Sequence, residues 1–201
     1  MATTQTPARA LDTELLRKRL RTWTLATLVT FLLSLVAFVA FMSLGDAFVT
    51  LSDSISLLLA VAIVPVVNGL DTLLAPAATP LSRLIRWTGL IGAGLVGAGS
   101  IVLLAADLTS LSGTGGLPMQ YIGYALIGVW IVISSGFLPR SSLLPRQVTT
   151  AAYVAGAGFL LGLLAGPLGP ESPVVMLAGL LSVVGFVAWC IFIRSGLANP
   201  R

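Results

Sequence analysis

Six runs of apolar residues divide the chain, each bounded by polar or helix-breaking residues. They cover about 23–42, 54–74, 87–106, 119–138, 148–165 and 174–193, so each is 18 to 21 residues long. About 20 helical residues, at roughly 1.5 Å each, cross a hydrocarbon core of about 30 Å. Each run therefore predicts one membrane-spanning helix, and the expected fold is all-α, a polytopic bundle of six spans. Five or seven spans would require a run to be merged or split without a signal.

Ahead of the first run, 1–22 reads as a separate N-terminal segment. Ala10, Leu11, Leu15, Leu16 and Leu20 recur at nearly helical spacing, and Asp12 or Thr13 stands where a cap belongs. This predicts a short amphipathic helix on the membrane surface. The first run is longer than the roughly 7–15 apolar residues of a signal peptide, and Ser43-Leu44-Gly45 is only a weak cleavage signal. It reads as an uncleaved span.

The turns carry the charge in a regular order. Every Arg and Lys falls in the N-terminal segment, the 2–3 turn, the 4–5 turn or the C-terminal tail (194–201). The 1–2, 3–4 and 5–6 turns carry Asp46, Asp53, Asp107 and Glu171 and no basic residue. By the positive-inside rule both termini are expected in the cytoplasm. An odd number of spans would scatter the arginines to both sides.

Composition fits this picture. Of 201 residues, 57% are hydrophobic and only 9% charged, with a mean hydropathy of +1.03. A water-exposed globule typically carries about 25% charged residues. The net charge of +4 and pI near 10 would otherwise suggest nucleic acid. Here the basic residues lie at span ends, where they meet anionic lipid headgroups on the cytoplasmic side, so no nucleic-acid partner is expected. A single lysine among the eleven basic residues is a bias common in GC-rich bacterial genomes, and a bacterial cytoplasmic membrane is the expected location.

Absent residue types exclude chemistry. With no histidine, imidazole metal sites, histidine-ligated haem and Ser/His catalysis are ruled out. Lys18 lies outside the spans, so there is no lysine for a retinal Schiff base. Cys190 is the only cysteine; it permits no intrachain disulfide and reads as a small buried apolar residue. No two acidic residues sit close together within one span, which argues against an aspartyl protease or a carboxylate metal centre. No catalytic residue, metal site or cofactor is expected.

The second span holds the candidate site, because it alone places Pro65, Asn68 and Asp71 well inside an apolar run. Asn68 and Asp71 are three apart and share a helix face. Asp71 lies about 4–5 Å inside the inner end of the span. It is either a proton, cation or substrate contact or half of an interfacial salt bridge to Arg83, Arg86, Arg140 or Arg146. Asn68 is suited to hydrogen bonding between helices. Pro65 either frees a carbonyl for a ligand or only kinks the helix, and Asp53 is placed to cap it.

Small residues mark the other spans. Gly158, Gly162 and Gly166 repeat every four residues, as do Gly89, Ala93 and Gly97, with Gly94 and Ala98 beside them. This spacing lets helix backbones approach in lipid, within the chain or across a homodimer. Trp23 and Trp87 read as interfacial anchors, whereas Trp130 and Trp189 either pack in the bundle or line a cavity. The close of span 4, from Trp130 to Pro139-Arg140, echoes the close of span 6, from Trp189 to Pro200-Arg201. Either duplication of a hairpin or shared helix-exit chemistry accounts for it.

The run Gly136-Phe137-Leu138-Pro139-Arg140 through Leu144-Pro145-Arg146, followed by the glycine-rich fifth span, resembles a turn found in a broad group of uncharacterised bacterial six-span proteins. The resemblance covers about 121–166 and brings no activity or catalytic residue with it. Two functions stay open: a non-enzymatic structural or accessory membrane protein, with a homodimer or another membrane protein as the candidate partner, and a small-molecule or ion transporter or channel with its polar site on span 2. A lipid-modifying enzyme is the weakest reading.

Overall fold

Long apolar helices form wherever the sequence lacks a breaker, and the first of them shows this most simply. In a computed structural model describing residues 7–44, 49–74, 80–109, 115–137, 145–169 and 172–198, α1 runs without interruption from Pro7 to Leu44. The expected break between a surface helix and a first span is not there. No glycine or internal proline stands in this stretch, and the charged residues of its first turns extend from the same cylinder. Pro7 occupies the first helical position, where its missing N–H costs nothing. Pro80 and Pro173 open α3 and α7 in the same way.

The remaining helices are α2 (Val49–Leu74), α3 (Pro80–Thr109), α4 (Gly116–Phe137), α5 (Gln147–Leu161) and α7 (Pro173–Ala198). After α5 comes one 3₁₀ turn, Gly162–Leu164, and a four-residue α6, Ala165–Leu168. Gly169 then adopts φ +76°, a left-handed conformation that suits glycine and ends the helical path. Among the described residues six helices are long and apolar enough to cross a membrane, in agreement with the six apolar runs. The turn residues Asp46, Ala75–Thr79, 138–144 and Glu171 lie outside the described residues, as do Asn199, Pro200 and Arg201.

Each long helix packs on its neighbours in chain order, and α7 returns to α1, so the six form a ring. The interior of the ring is apolar. Val66, Val67 and Leu70 of α2, Val96 of α3, Trp130 and Ile131 of α4, and Phe186, Trp189 and Ile193 of α7 are all fully buried. Aromatic rings join four helices across it. Phe31 of α1 meets Phe186 of α7 with ring centroids 4.6 Å apart. Phe186 in turn contacts Phe159 of α5 at 5.8 Å and Trp189 at 5.7 Å. Trp130 of α4 stands edge-on to Trp189 at 5.7 Å. The Trp189 indole N–H donates to Ser135 Oγ at 2.8 Å, which satisfies the one polar atom that a buried indole must place. These tryptophans fill the bundle. Trp23 and Trp87 stay exposed, as anchors should.

Glycines set how closely the helices approach. A Cβ on Gly123 of α4 would meet the Gly92 carbonyl and the Val96 nitrogen of α3, each at 2.7 Å. On Gly158 of α5 it would collide with the backbone nitrogen of Ser182 in α7. Gly123 and Ser182 each stand seven residues before the tryptophan of their helix, and both lie at close backbone approaches.

Candidate functional site

Apart from Thr27 and Ser182, which bond helix carbonyls between them, the buried polar side chains lie towards the two ends of the bundle, and charge distinguishes the ends. The basic end holds the expected candidates. Asp71 Oδ2 lies 3.8 Å from Arg86 Nη1 of α3, with both side chains partly exposed. At the surface such a pair contributes about 0–1 kcal/mol. We expect Asp71→Asn to lower unfolding stability in nanodiscs by no more than about 1 kcal/mol; a loss several times larger would mean the carboxylate clamps the bundle.

Asn68 is partly buried; its Oδ1 is shielded from solvent without a hydrogen-bond partner in the structure. The same holds for Arg21 Nε on α1. Leu20 meets Gly69 across the α1–α2 contact, so Arg21 and Asn68 stand at the same level. Pro65 is half-buried, near the exposed Val61. Its missing N–H leaves the Val61 carbonyl without its helical donor, while the Thr27 hydroxyl of α1 donates to the adjacent Ala62 carbonyl at 3.0 Å. Pro65, Asn68 and Asp71 therefore sit around the rim of α2 and do not converge on a shared interior site. The interior at their level is Val66, Val67 and Leu70.

The small-residue motifs also separate. Gly158 is buried against Ala178 and Ser182, and Gly89 against Trp130 of α4. A Cβ on Gly97 would make ordinary contact with Ala60 and Leu57 at 3.6 Å, and Ala93 is buried. A Cβ on Gly162 or Gly94 would meet nothing within 4 Å, and Gly166 lies in α6. Cys190 is 1% exposed.

At the acidic end the structure assembles a cluster that the sequence reading missed. Asp53 was expected to cap the second span, but α2 begins four residues earlier, at Val49. The carboxylate therefore belongs to the second turn of a helix and turns into the bundle, where the residue is 8% exposed. Gln120 Nε2 of α4 donates to Asp53 Oδ1 at 3.3 Å and to Ser100 Oγ of α3 at 3.0 Å. One turn deeper on α2, the Ser56 hydroxyl lies 3.3 Å from that of Ser34 on α1, with the Tyr124 hydroxyl of α4 beside it. One turn shallower, Thr50 donates to Asp107 Oδ2 of α3 at 3.1 Å, and the Asp107 charge acts on Asp53. Thr50, Asp53 and Ser56 at three-residue spacing were the available signal. Cutting the apolar run at Asp53 concealed it.

Helix lengths, apolar composition and a filled interior define the class of this chain: a polytopic membrane protein with six apolar helices of spanning length. Narrower kinship does not emerge, since no family model matches the chain and neither a curated protein nor a solved structure matches it. The resemblance drawn from the 4–5 turn thus reduces to the six-helix plan. Residues 138–144 of that turn lie outside the described ones.

Proposed function

We propose that this chain is a non-enzymatic integral membrane protein of a bacterial cytoplasmic membrane, acting as a structural or accessory component without carrying solute across. The observation that supports this reading best is the aromatic and aliphatic filling of the ring between its two polar ends. A solute path would have to displace Phe186, Trp130 and Trp189, which are buried, with Trp189 in ring contact with both of the others. The candidate polar residues of α2 at the basic end lie on the rim, where Asp71 pairs with Arg86.

In this reading the basic end faces the cytoplasm. Arg17, Lys18, Arg19, Arg83 and Arg194 lie towards that end and meet anionic headgroups. The acidic end, with Asp107, faces outward. The intramolecular seats of Gly158 and Gly89 leave helix packing within the chain as their sufficient role.

Two readouts test the proposal. In intact cells a membrane-impermeant thiol reagent should label Leu108→Cys, an 81% exposed position at the acidic end. It should label Ser195→Cys only after permeabilisation, against a silent Cys190. Proteoliposomes should show no ion or solute flux above protein-free vesicles. Reversed labelling would overturn the orientation, and protein-dependent flux would replace the accessory reading with the transporter.

A further inference from the structure

The cluster at the acidic end has a property that helix packing does not require: a buried carboxylate with no cationic partner among the described residues. Asp53 lies within a span-length apolar helix stretch, Thr50–Leu73. Among the described residues the titratable groups that act on it are Asp107 from α3, of its own sign, and Tyr124 from α4; α1 contributes Ser34. The sequence places no Arg or Lys in the 1–2, 3–4 or 5–6 turns. Arg86, opposite Asp71, is 18 residues of α2 away from Asp53, or about 27 Å along the helix. One neutral amide at 3.3 Å is a long bond for a charge, since charge-assisted bonds shorten to about 2.7–2.9 Å. Taking an isolated carboxylate out of water costs several kcal/mol unless a counter-charge comes with it.

The polar groups linked to Asp53 are chiefly oxygen. Gln120 bonds it directly and joins it to the Ser100 hydroxyl, while one turn deeper Ser56, Ser34 and Tyr124 bring hydroxyls from three helices. Hard oxygen donors suit small hard cations and offer little to softer metals. A single buried carboxylate balances a single positive charge. Among the described residues, no group of three or more acidic or thiol side chains stands together for a multivalent metal. The cluster also has a direction. Asp107 is exposed at the rim and bonded to Thr50, and Asp53 and Ser56 follow one turn apart on the same face of α2. Six residues at about 1.5 Å each carry this polar track roughly 9 Å inward. Beyond it lie Leu59, Ala60 and Ile63, all buried.

We propose that Asp53 is a binding site for a small monovalent cation, a proton or Na⁺, admitted past Asp107 from the acidic end and held without onward passage by the apolar filling beneath. The shared chemistry is neutralisation of the buried carboxylate. This goes beyond the accessory reading and is separable from it. Binding without flux keeps both. Flux that depends on Asp53 keeps the binding site but overturns both the dead end beneath it and the accessory reading.

The test uses the full chain in nanodiscs. Infrared difference spectra follow the aspartic carboxyl stretch between about pH 5 and pH 9, with and without Na⁺, beside equilibrium binding of radioactive sodium. Wild type should show one buried carboxyl signal that changes across this range, or saturable Na⁺ binding at a single site. Asp53→Asn should abolish it while keeping the Gln120 bond and the elution profile of the folded protein. If Na⁺ displaces the carboxyl signal, the occupant is Na⁺; a signal insensitive to Na⁺ assigns the proton. Asp107→Asn should weaken loading by a few-fold while leaving the site in place. The wild-type measurement decides the matter even if Asp53→Asn does not fold: no Na⁺ binding together with no carboxyl signal that responds to pH would overturn the proposal. A response unchanged by Asp53→Asn in folded protein would overturn it too.

Discussion

Gly158→Leu should unfold the α5–α7 contact, with a loss of about 3 kcal/mol or more in detergent titrations followed by circular dichroism. A Cβ at this position would fall on the backbone nitrogen of Ser182, and on Ser182 Oγ at 2.6 Å and the Ala178 carbonyl at 2.7 Å. Two of these three obstacles are backbone atoms of a neighbouring helix, which cannot rotate aside as a side chain would. Overpacking typically costs about 1–3 kcal/mol when side chains can give way, so a backbone obstacle belongs at or above that range. Replacing glycine gains back about 0.8–1.0 kcal/mol of helix propensity, which is too little to offset the clash. Gly162→Leu is the matched control, because nothing lies within 4 Å of its Cβ position. It should change stability little. Equal losses at Gly158 and Gly162 would point to a second chain covering Gly162.

Trp189→Ala should be nearly as damaging, for a different reason. In lipid the apolar side chain gains little from leaving water, because the bilayer is as apolar as the core. What the mutation removes is packing. The indole stacks on Phe186, stands edge-on to Trp130 and donates to Ser135. At about 24 cal/mol per Å³ of unfilled volume, a vacancy of roughly 100 Å³ costs about 2.4 kcal/mol. Each lost aromatic pair adds about 0.5–1.5 kcal/mol. A total near 3–5 kcal/mol is expected in the same titration. Val184→Ala, on the exposed face of the same helix, should change stability by much less, because lipid chains fill the space it leaves. Equal effects at the two positions would mean that the aromatic core does not hold the ring together.

The spans were legible because apolar run length and breakers act locally. Pro80 and Pro173 stand at helix starts, and a stretch without Gly or Pro continues as helix. The same locality explains the errors. The division between 1–22 and the first span followed polarity, but a helix cylinder does not end where its side chains become charged, so α1 continues from Pro7. Asp53 was read as a cap because an acid beside an apolar run ordinarily belongs to the turn. Its burial depends on Gln120 and Ser100, 67 and 47 positions away in the sequence, and no helical period carries that information. Asp71 was given an arginine among its expected partners, and Arg86 is that partner. The outward turn of Pro65 and Asn68 depends on which face of α2 meets α1 and α3, which span boundaries alone do not specify.

The ring has a consequence for how the chain is made. Five of its six major helix contacts join helices that follow one another in the sequence, and only the α1–α7 contact spans the whole chain. Each new helix can therefore dock on the one inserted before it, while the ribosome is still at work, at a low cost in loop entropy. Until α7 arrives, Phe31 of α1 lacks its ring partner Phe186. Of the six, α7 is thus the helix that completes the core, and a chain stopped before it would leave the membrane with an open arc of five helices.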